Sequence, residues 1–167
     1  MATNRIVVGM AADRGLEYGI ELLRSLRDAG LESHVVLTSP AAAALGPDLA
    51  VVRELSGQLY ATDNQAARIS SGSFLTRGMV VAPCSSEAVA TVTRGLASNL
   101  VFRAADVTLK EGRPLLLAVP GPAPPGESLE RARGVPGLDV TRLGGPVGEA
   151  VEGLLAQLGV ERVASVT

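Results

Sequence analysis

The chain has 167 residues, 47% of them hydrophobic and 19% charged, with a net charge of −2 at pH 7. That length points to one domain, 1–167, burying roughly 70% of its unfolded surface. The composition excludes disorder, collagen-like repeats and a disulfide scaffold, the charge offers no basic field for a nucleic-acid backbone, and 2% aromatics without Trp give no base-stacking surface.

Met1–Arg5 lacks the charged-then-apolar layout of a signal peptide. Ile6–Met10 is a short β-branched run that reads as a buried strand. Ala11–Gly15 follows as a loop. Leu16, Ile20, Leu23 and Leu26 recur at helical spacing in a helix over Leu16–Ala29, which Gly30 stops. His34–Thr38 is a second strand. These elements form the β-loop-α-β start of a doubly wound sheet.

Pro40–Glu54 is Ala-rich and interrupted by Gly46-Pro47, which predicts a short helix, a break, and a strand over Ala50–Arg53. Leu59–Ile69 reads as a short helix, and Ser70–Ser73 as a small-residue loop. Met79–Ala82 is a strong strand closed by Pro83. Ser85 or Ser86 caps a helix from Glu87 to about Gly95. A further helix spans Asn99–Lys110, stopped by Gly112, and Leu115–Val119 is another buried strand.

Pro120–Gly126 (PGPAPPG) is neither helix nor central strand, and reads as a loop or lid. Ser128–Arg133 is a helical turn, Leu138–Thr141 an edge strand and Val147–Leu158 an amphipathic helix. Alternating strands and helices predict an α/β fold, a Rossmann-like (flavodoxin-like) three-layer sandwich on a mostly parallel sheet. No apolar run reaches the length of a membrane span.

In open α/β sheets, ligands bind beyond the carboxyl ends of the strands. Ala11–Gly15 and Pro83–Glu87 each join a strand to a helix N-terminus, where free N–H groups and the helix dipole favour phosphate. Thr38, Ser39, Ser85 and Ser86 add hydroxyls. A phosphorylated or nucleotide-like ligand fits this pattern, as do ordinary caps and turns. His34, the only histidine, reads as a packed or solvent-facing strand residue. One His and one Cys cannot build a metal cluster. Cys84, the only cysteine, is a small core residue or a thiol activated at a helix N-terminus. Having no partner for a disulfide, it fits a reducing cytoplasm. Lys110, the only lysine, pairs most simply with Glu111 at a helix end.

Ser71–Leu117 reads SGSFLTRGMVVAPCSSEAVATVTRGLASNLVFRAADVTLKEGRPLLL. It closely resembles the core of UbiX-type flavin prenyltransferases, in which SGSF, PCS, NLxxRAADV and LKExRPL recur. RIVVGM, YGIELLRSLRDAG and HVVLTS resemble that family's first β-α-β unit. The wider superfamily includes flavin-containing cysteine decarboxylases. The resemblance implies a Rossmann-like fold that binds FMN, as such or prenylated. It also implies a homo-oligomer, a dodecamer built from trimers in the family, with FMN at the subunit junction. The implied reaction moves a dimethylallyl group from dimethylallyl phosphate to reduced FMN without a metal, and the product serves a partner decarboxylase.

Residue by residue, the carry-over is partial. The family's first loop is T-G-A-S-G; here it is Ala11-Ala12-Asp13-Arg14-Gly15, with Arg14 where a serine is expected. Ala12, Asp13, Arg14 and Gly15 are therefore candidate cofactor contacts, Arg14 either gripping phosphate or facing solvent beside Asp13 or Glu17. Thr38 replaces a flavin-contacting serine. Ser71, Gly72 and Ser73 keep the family's pattern, as do Cys84 and Ser85, followed by Ser86 and Glu87. Lys110 matches a lysine that helps hold the substrate phosphate, and is the candidate catalytic residue. Pro120 and Gly121 stand where an Arg–Glu pair is expected. A downstream tyrosine segment is missing, and the chain is shortened around Gly134–Pro146. Three functions remain open: a flavin prenyltransferase, a flavin-dependent decarboxylase or redox tailoring enzyme acting on a small carboxylate, and a non-catalytic flavin-binding scaffold.

Overall fold

The computed structural model describes residues 3–161. Met1 and Ala2, which open the segment read against a signal peptide, and the end of the 1–167 span lie outside the described residues. Six strands form one sheet: β1 (Arg5–Ala11), β2 (Glu32–Leu37), β3 (Gln58–Tyr60), β4 (Met79–Cys84), β5 (Leu115–Pro120) and β6 (Leu138–Leu143). Every neighbouring pair is parallel, in the order β3-β2-β1-β4-β5-β6. The central strands β1, β4 and β5 are buried on both faces, so they read as continuous apolar runs rather than alternating ones.

Helices cover both faces. On one lie α1 (Leu16–Asp28), α2 (Ser39–Leu45), α3 (Leu49–Leu55) and α7 (Val147–Gln157). On the other lie α4 (Ser86–Thr93), α5 (Leu100–Lys110) and α6 (Gly126–Arg133). Leu22, Leu23 and Leu26 of α1 pack with Val8 and Met10 of β1, while Val101, Ala104 and Ala105 of α5 pack with Val81 and Leu117 on the opposite face. The result is the expected three-layer α/β sandwich, with a sheet that is parallel throughout. No helix among the described residues is long and apolar enough to cross a membrane.

Four predicted elements differ, one of them Pro120–Gly126, whose ends are not loop: Pro120 closes β5 opposite Leu143 of β6, and Gly126 opens α6. Ala50–Arg53 is not a strand but part of α3, which turns Val52 and Leu55, three residues apart, into the core. Leu59–Ile69 is not a helix. It holds the short strand β3 and then a loop that ends in a single 3₁₀ turn at Arg68–Ser70. The fourth strand continues past Pro83 to Cys84. A register shift opposite Gly9–Ala11 gives β4 an extra residue there, and the Ala82–Pro83 bond is cis. A bulge is where a strand tolerates a residue without an N–H.

Candidate functional site

The strand order reverses direction between β1 and β4, and in doubly wound sheets the crevice above such a switch point is where ligands bind. The loops after these two strands meet there. Ser85 N–H donates to the Ala11 carbonyl at 2.9 Å, which closes the ladder above Ala11 and Cys84. Gly15 starts α1 at φ 74° with no side-chain cap. A Cβ at Gly15 would lie 2.9 Å from both Cβ and Cγ of Pro120 and 3.5 Å from Cβ of Pro83. Three loops therefore converge on one glycine that needs both its backbone freedom and its missing side chain.

Around this point lies a cavity of about 350 Å³, lined by Ala12, Asp13, Arg14, Ser85–Glu87, Pro120 and Pro122. Its size is within the small-molecule range. The Ser85 hydroxyl accepts a hydrogen bond from Ala88 N–H at 3.0 Å and so serves as the N-cap of α4. The Arg14 side chain is 81% exposed and lies 4.0 Å from that of Asp13, itself 72% exposed, a contact too loose and wet to hold its guanidinium. Its charge and the first-turn N–H groups of α1 and α4 favour an anion, while Asp13 and Glu87 oppose one.

Thr38 also sits at the carboxyl edge of the sheet. It is buried, and its Oγ1 accepts from Ala41 N–H at 3.3 Å as the cap of α2. It lines a second groove of about 350 Å³ floored by Leu37, Ala42 and Leu59. The Cys84 side chain lies in the core beneath the loop, where burial pushes its thiol far above the ordinary range. The thiol is therefore a core group, not an activated one. His34 is likewise buried. Its Nδ1 lies 2.8 Å from the Tyr60 hydroxyl and its Nε2 2.6 Å from Glu32. With Nε2–H donating to Glu32 and Nδ1 accepting from Tyr60, the neutral ring is fully partnered. Desolvation lowers its pKa, outweighing the opposing pull of Glu32.

The remaining candidates lie elsewhere. Helix α5 starts beyond the carboxyl end of β3, where Leu100 N–H donates to the Thr62 carbonyl, and runs back antiparallel to the strands. Lys110 therefore ends α5 at the amino ends of the strands, a strand length of roughly 20 Å from the crevice. It is exposed and pairs with Asp106 at 2.8 Å, not with Glu111. Ser71–Ser73 sit at the same end. A Cβ on Gly72 would strike the Glu111 carboxylate, and Arg77 N–H, four residues on from Ser73, donates to the carbonyl of Arg5, at the start of β1. One chain thus assembles Ala12–Gly15 with Ser85–Glu87, keeps Thr38 one strand over, and holds Ser71–Ser73 and Lys110 at the opposite pole.

Two arginines outside the candidate set shape these poles. Arg142 on β6 donates from Nε and Nη2 to the Gly121 carbonyl at 3.2 and 2.8 Å, anchoring the Pro-rich loop. Arg113 grips the Ser71–Phe74 turn, and its place in LKEGRPL was the available signal. A larger cavity of about 490 Å³ lies between the Pro-rich loop, α6 and β6, and none of the candidate cofactor or catalytic residues lines it.

The Flavoprotein family model matches residues 1–127. The chain belongs to the flavoprotein family. Within it, the chain resembles the UbiX-type flavin prenyltransferases. It is 42% identical over 119 residues to the flavin prenyltransferase UbiX of Deinococcus radiodurans. It is 44% identical over 117 residues to a probable UbiX-like flavin prenyltransferase of Bacillus subtilis. Those alignments take in 69% and 68% of this chain but 61% and 57% of the relatives, so the flavoprotein chain spans less than two thirds of their length. Among solved structures, AnUbiX in complex with FMN and dimethylallyl pyrophosphate superposes with a TM-score of 0.86 at 28% identity, covering 100% of both chains. A dodecameric FMN-dependent UbiX-like decarboxylase from Escherichia coli gives 0.86 at 32% identity, covering 95% of this chain and 96% of that one.

Proposed function

We propose that this flavoprotein binds FMN as a single domain and is a UbiX-like flavin prenyltransferase, moving a dimethylallyl group from dimethylallyl phosphate to the reduced flavin. The observation that carries the reading is the switch-point cavity, formed by the first loop and the Pro83–Glu87 loop of a chain with close UbiX-type relatives. The donor set fits a flavin phosphate. Arg14 is a bidentate guanidinium without a firm partner, Ser86 adds a hydroxyl, and Ala12–Gly15 and the start of α4 supply backbone N–H groups. Thr38 and its groove fit the apolar side of a flavin ring. When bound, reduced FMN supplies the electron-rich ring atoms that accept the dimethylallyl group.

The chain's own part is to hold charge and exclude water. Lys110 fits the substrate phosphate, compensating a leaving dianion as it departs. Ser71 and Ser73 fit as hydroxyl donors to the flavin. Because these groups face away from the cavity of their own chain, the reading requires a homo-oligomer in which a second copy brings them to it. A dodecameric relative supports this arrangement. A reducing cytoplasmic setting and a partner decarboxylase that uses the product complete the reading.

A second reading, flavin binding without prenyl transfer, is favoured by one observation. Pro120 fills the space against Gly15, and Gly121 brings no side chain, its carbonyl already held by Arg142. No carboxylate or guanidinium from the end of β5 reaches the crevice. Mass spectrometry of flavin released after incubation with reduced FMN and dimethylallyl phosphate separates the two. A flavin heavier by one prenyl group is expected. Unmodified FMN would support the second reading, and a protein that takes up no flavin would overturn both.

A further inference from the structure

We infer that Arg113 is a positioning residue that fixes the Ser71 and Ser73 hydroxyls for the flavin site of a second copy. This inference rests on the FMN reading above. Arg113 is half-buried just past the end of α5. Its Nη2 donates to the Gly72 carbonyl at 2.8 Å and its Nη1 to the Phe74 carbonyl at 3.1 Å. Those carbonyls belong to the Gly72–Ser73 and Phe74–Leu75 peptide groups, so one planar fork brackets Ser73 and Phe74 between two anchored points. Inside the turn, the Ser71 and Ser73 hydroxyls are 2.8 Å apart, and Phe74 N–H donates to the Ser71 carbonyl at 3.2 Å.

The turn is held from three further directions. The Arg5 guanidinium lies 4.8 Å above the Phe74 ring, His34 meets that ring edge-on at 5.0 Å, and Glu111 leaves no room for a side chain at Gly72. Yet Ser71 and Ser73 themselves are exposed, and their hydroxyls bond only within the turn. Phe74 carries the turn's packing against the core, and the two exposed hydroxyls take no part in it. Their fixed placement suits a donor pair that must arrive at a ligand already aligned, beside the helix end that carries Lys110. A lysine at 113 would replace the rigid two-nitrogen fork with a single ammonium on a flexible stem.

The test is a titration of the assembled protein with FMN, followed by flavin fluorescence, with assembly checked by light scattering. Arg113→Ala should bind FMN about tenfold more weakly. Ser71→Ala with Ser73→Ala should show the same loss, and the triple variant no further loss, because the arginine acts through the serines. Arg113→Lys should recover only part of the affinity, and it carries the test if Arg113→Ala does not fold. Wild-type affinity in the Arg113 variants, or losses that add, would overturn the inference. Failure of the wild-type protein to bind FMN would overturn the flavin reading itself and this inference with it.

Discussion

Replacing Gly15 by alanine tests the convergence of loops at the switch point. The added Cβ would sit 2.9 Å from two atoms of the Pro120 ring, a rigid neighbour that cannot swing aside. The backbone there is also left-handed, at φ 74°. The left-handed conformation alone costs about 1 kcal/mol for a residue with a Cβ. Overpacking against the ring adds about 2 kcal/mol. The sum, about 3 kcal/mol, lowers Tm by roughly 6–12 °C in a chain of this size. Gly30 provides the control. It has nearly the same φ, 78°, but nothing lies within 4 Å of where a Cβ would stand, so Gly30→Ala carries only the conformational cost, roughly 2–4 °C. Thermal unfolding followed by circular dichroism measures both. Equal losses in the two variants would refute the crowding argument. In the same samples, FMN affinity should fall for Gly15→Ala alone, since only that change displaces a wall of the cavity.

Arg14→Ala should weaken FMN binding about tenfold and flatten its salt dependence; unchanged affinity in a salt titration would make Arg14 a solvent-facing residue. Lys110→Ala should reduce prenyl transfer by about 10²-fold or more while FMN binding and Tm stay close to wild type. The exposed i,i+4 pair with Asp106 is worth only a few tenths of a kcal/mol, and undiminished turnover would remove Lys110 from the site. His34 titrates below its ordinary 6.5 when folded because burial disfavours its charged form. Its contribution is therefore complete above that ordinary value and is lost as the pH falls from there to the folded pKa, a window in which the unfolded chain binds the proton first. Urea unfolding across that window should show a pH slope that His34→Gln reduces, and an unaltered slope would contradict the assignment.

Where pattern and length agreed, the sequence was legible. The helix over α1 and the runs at β1, β4 and β5 stand out because their periods are unambiguous and each is buried as a unit. The region 46–70 was not legible for a physical reason. Ala50–Arg53 is too short for period 2 and period 3.6 to be told apart, and only packing of Val52 and Leu55 against the sheet decides for helix. β3 has three residues, and its partner strand supplies the pairing that its own sequence does not specify. The crevice residues were readable because strand-to-helix loops must lie at the carboxyl edge. The polarity of α5 was equally readable: a helix that precedes β5 must end where β5 begins, which places Lys110 at the far pole. Motif adjacency in sequence hid that geometry. The roles of Pro120 and Arg142 were invisible, since one is a steric fit to a distant glycine and the other reaches a carbonyl that any residue could offer.

The two margins of the sheet bear on how copies of this chain can meet. β3 presents three residues along one margin, too little backbone to template a further strand. β6 is longer, but its edge carries Asp139 and Arg142, and the latter is tied back to Gly121. Short length and charge are the devices by which open sheets resist lateral growth into fibrils. In the proposed homo-oligomer, contact between copies would therefore fall to the helical faces and the exposed turns.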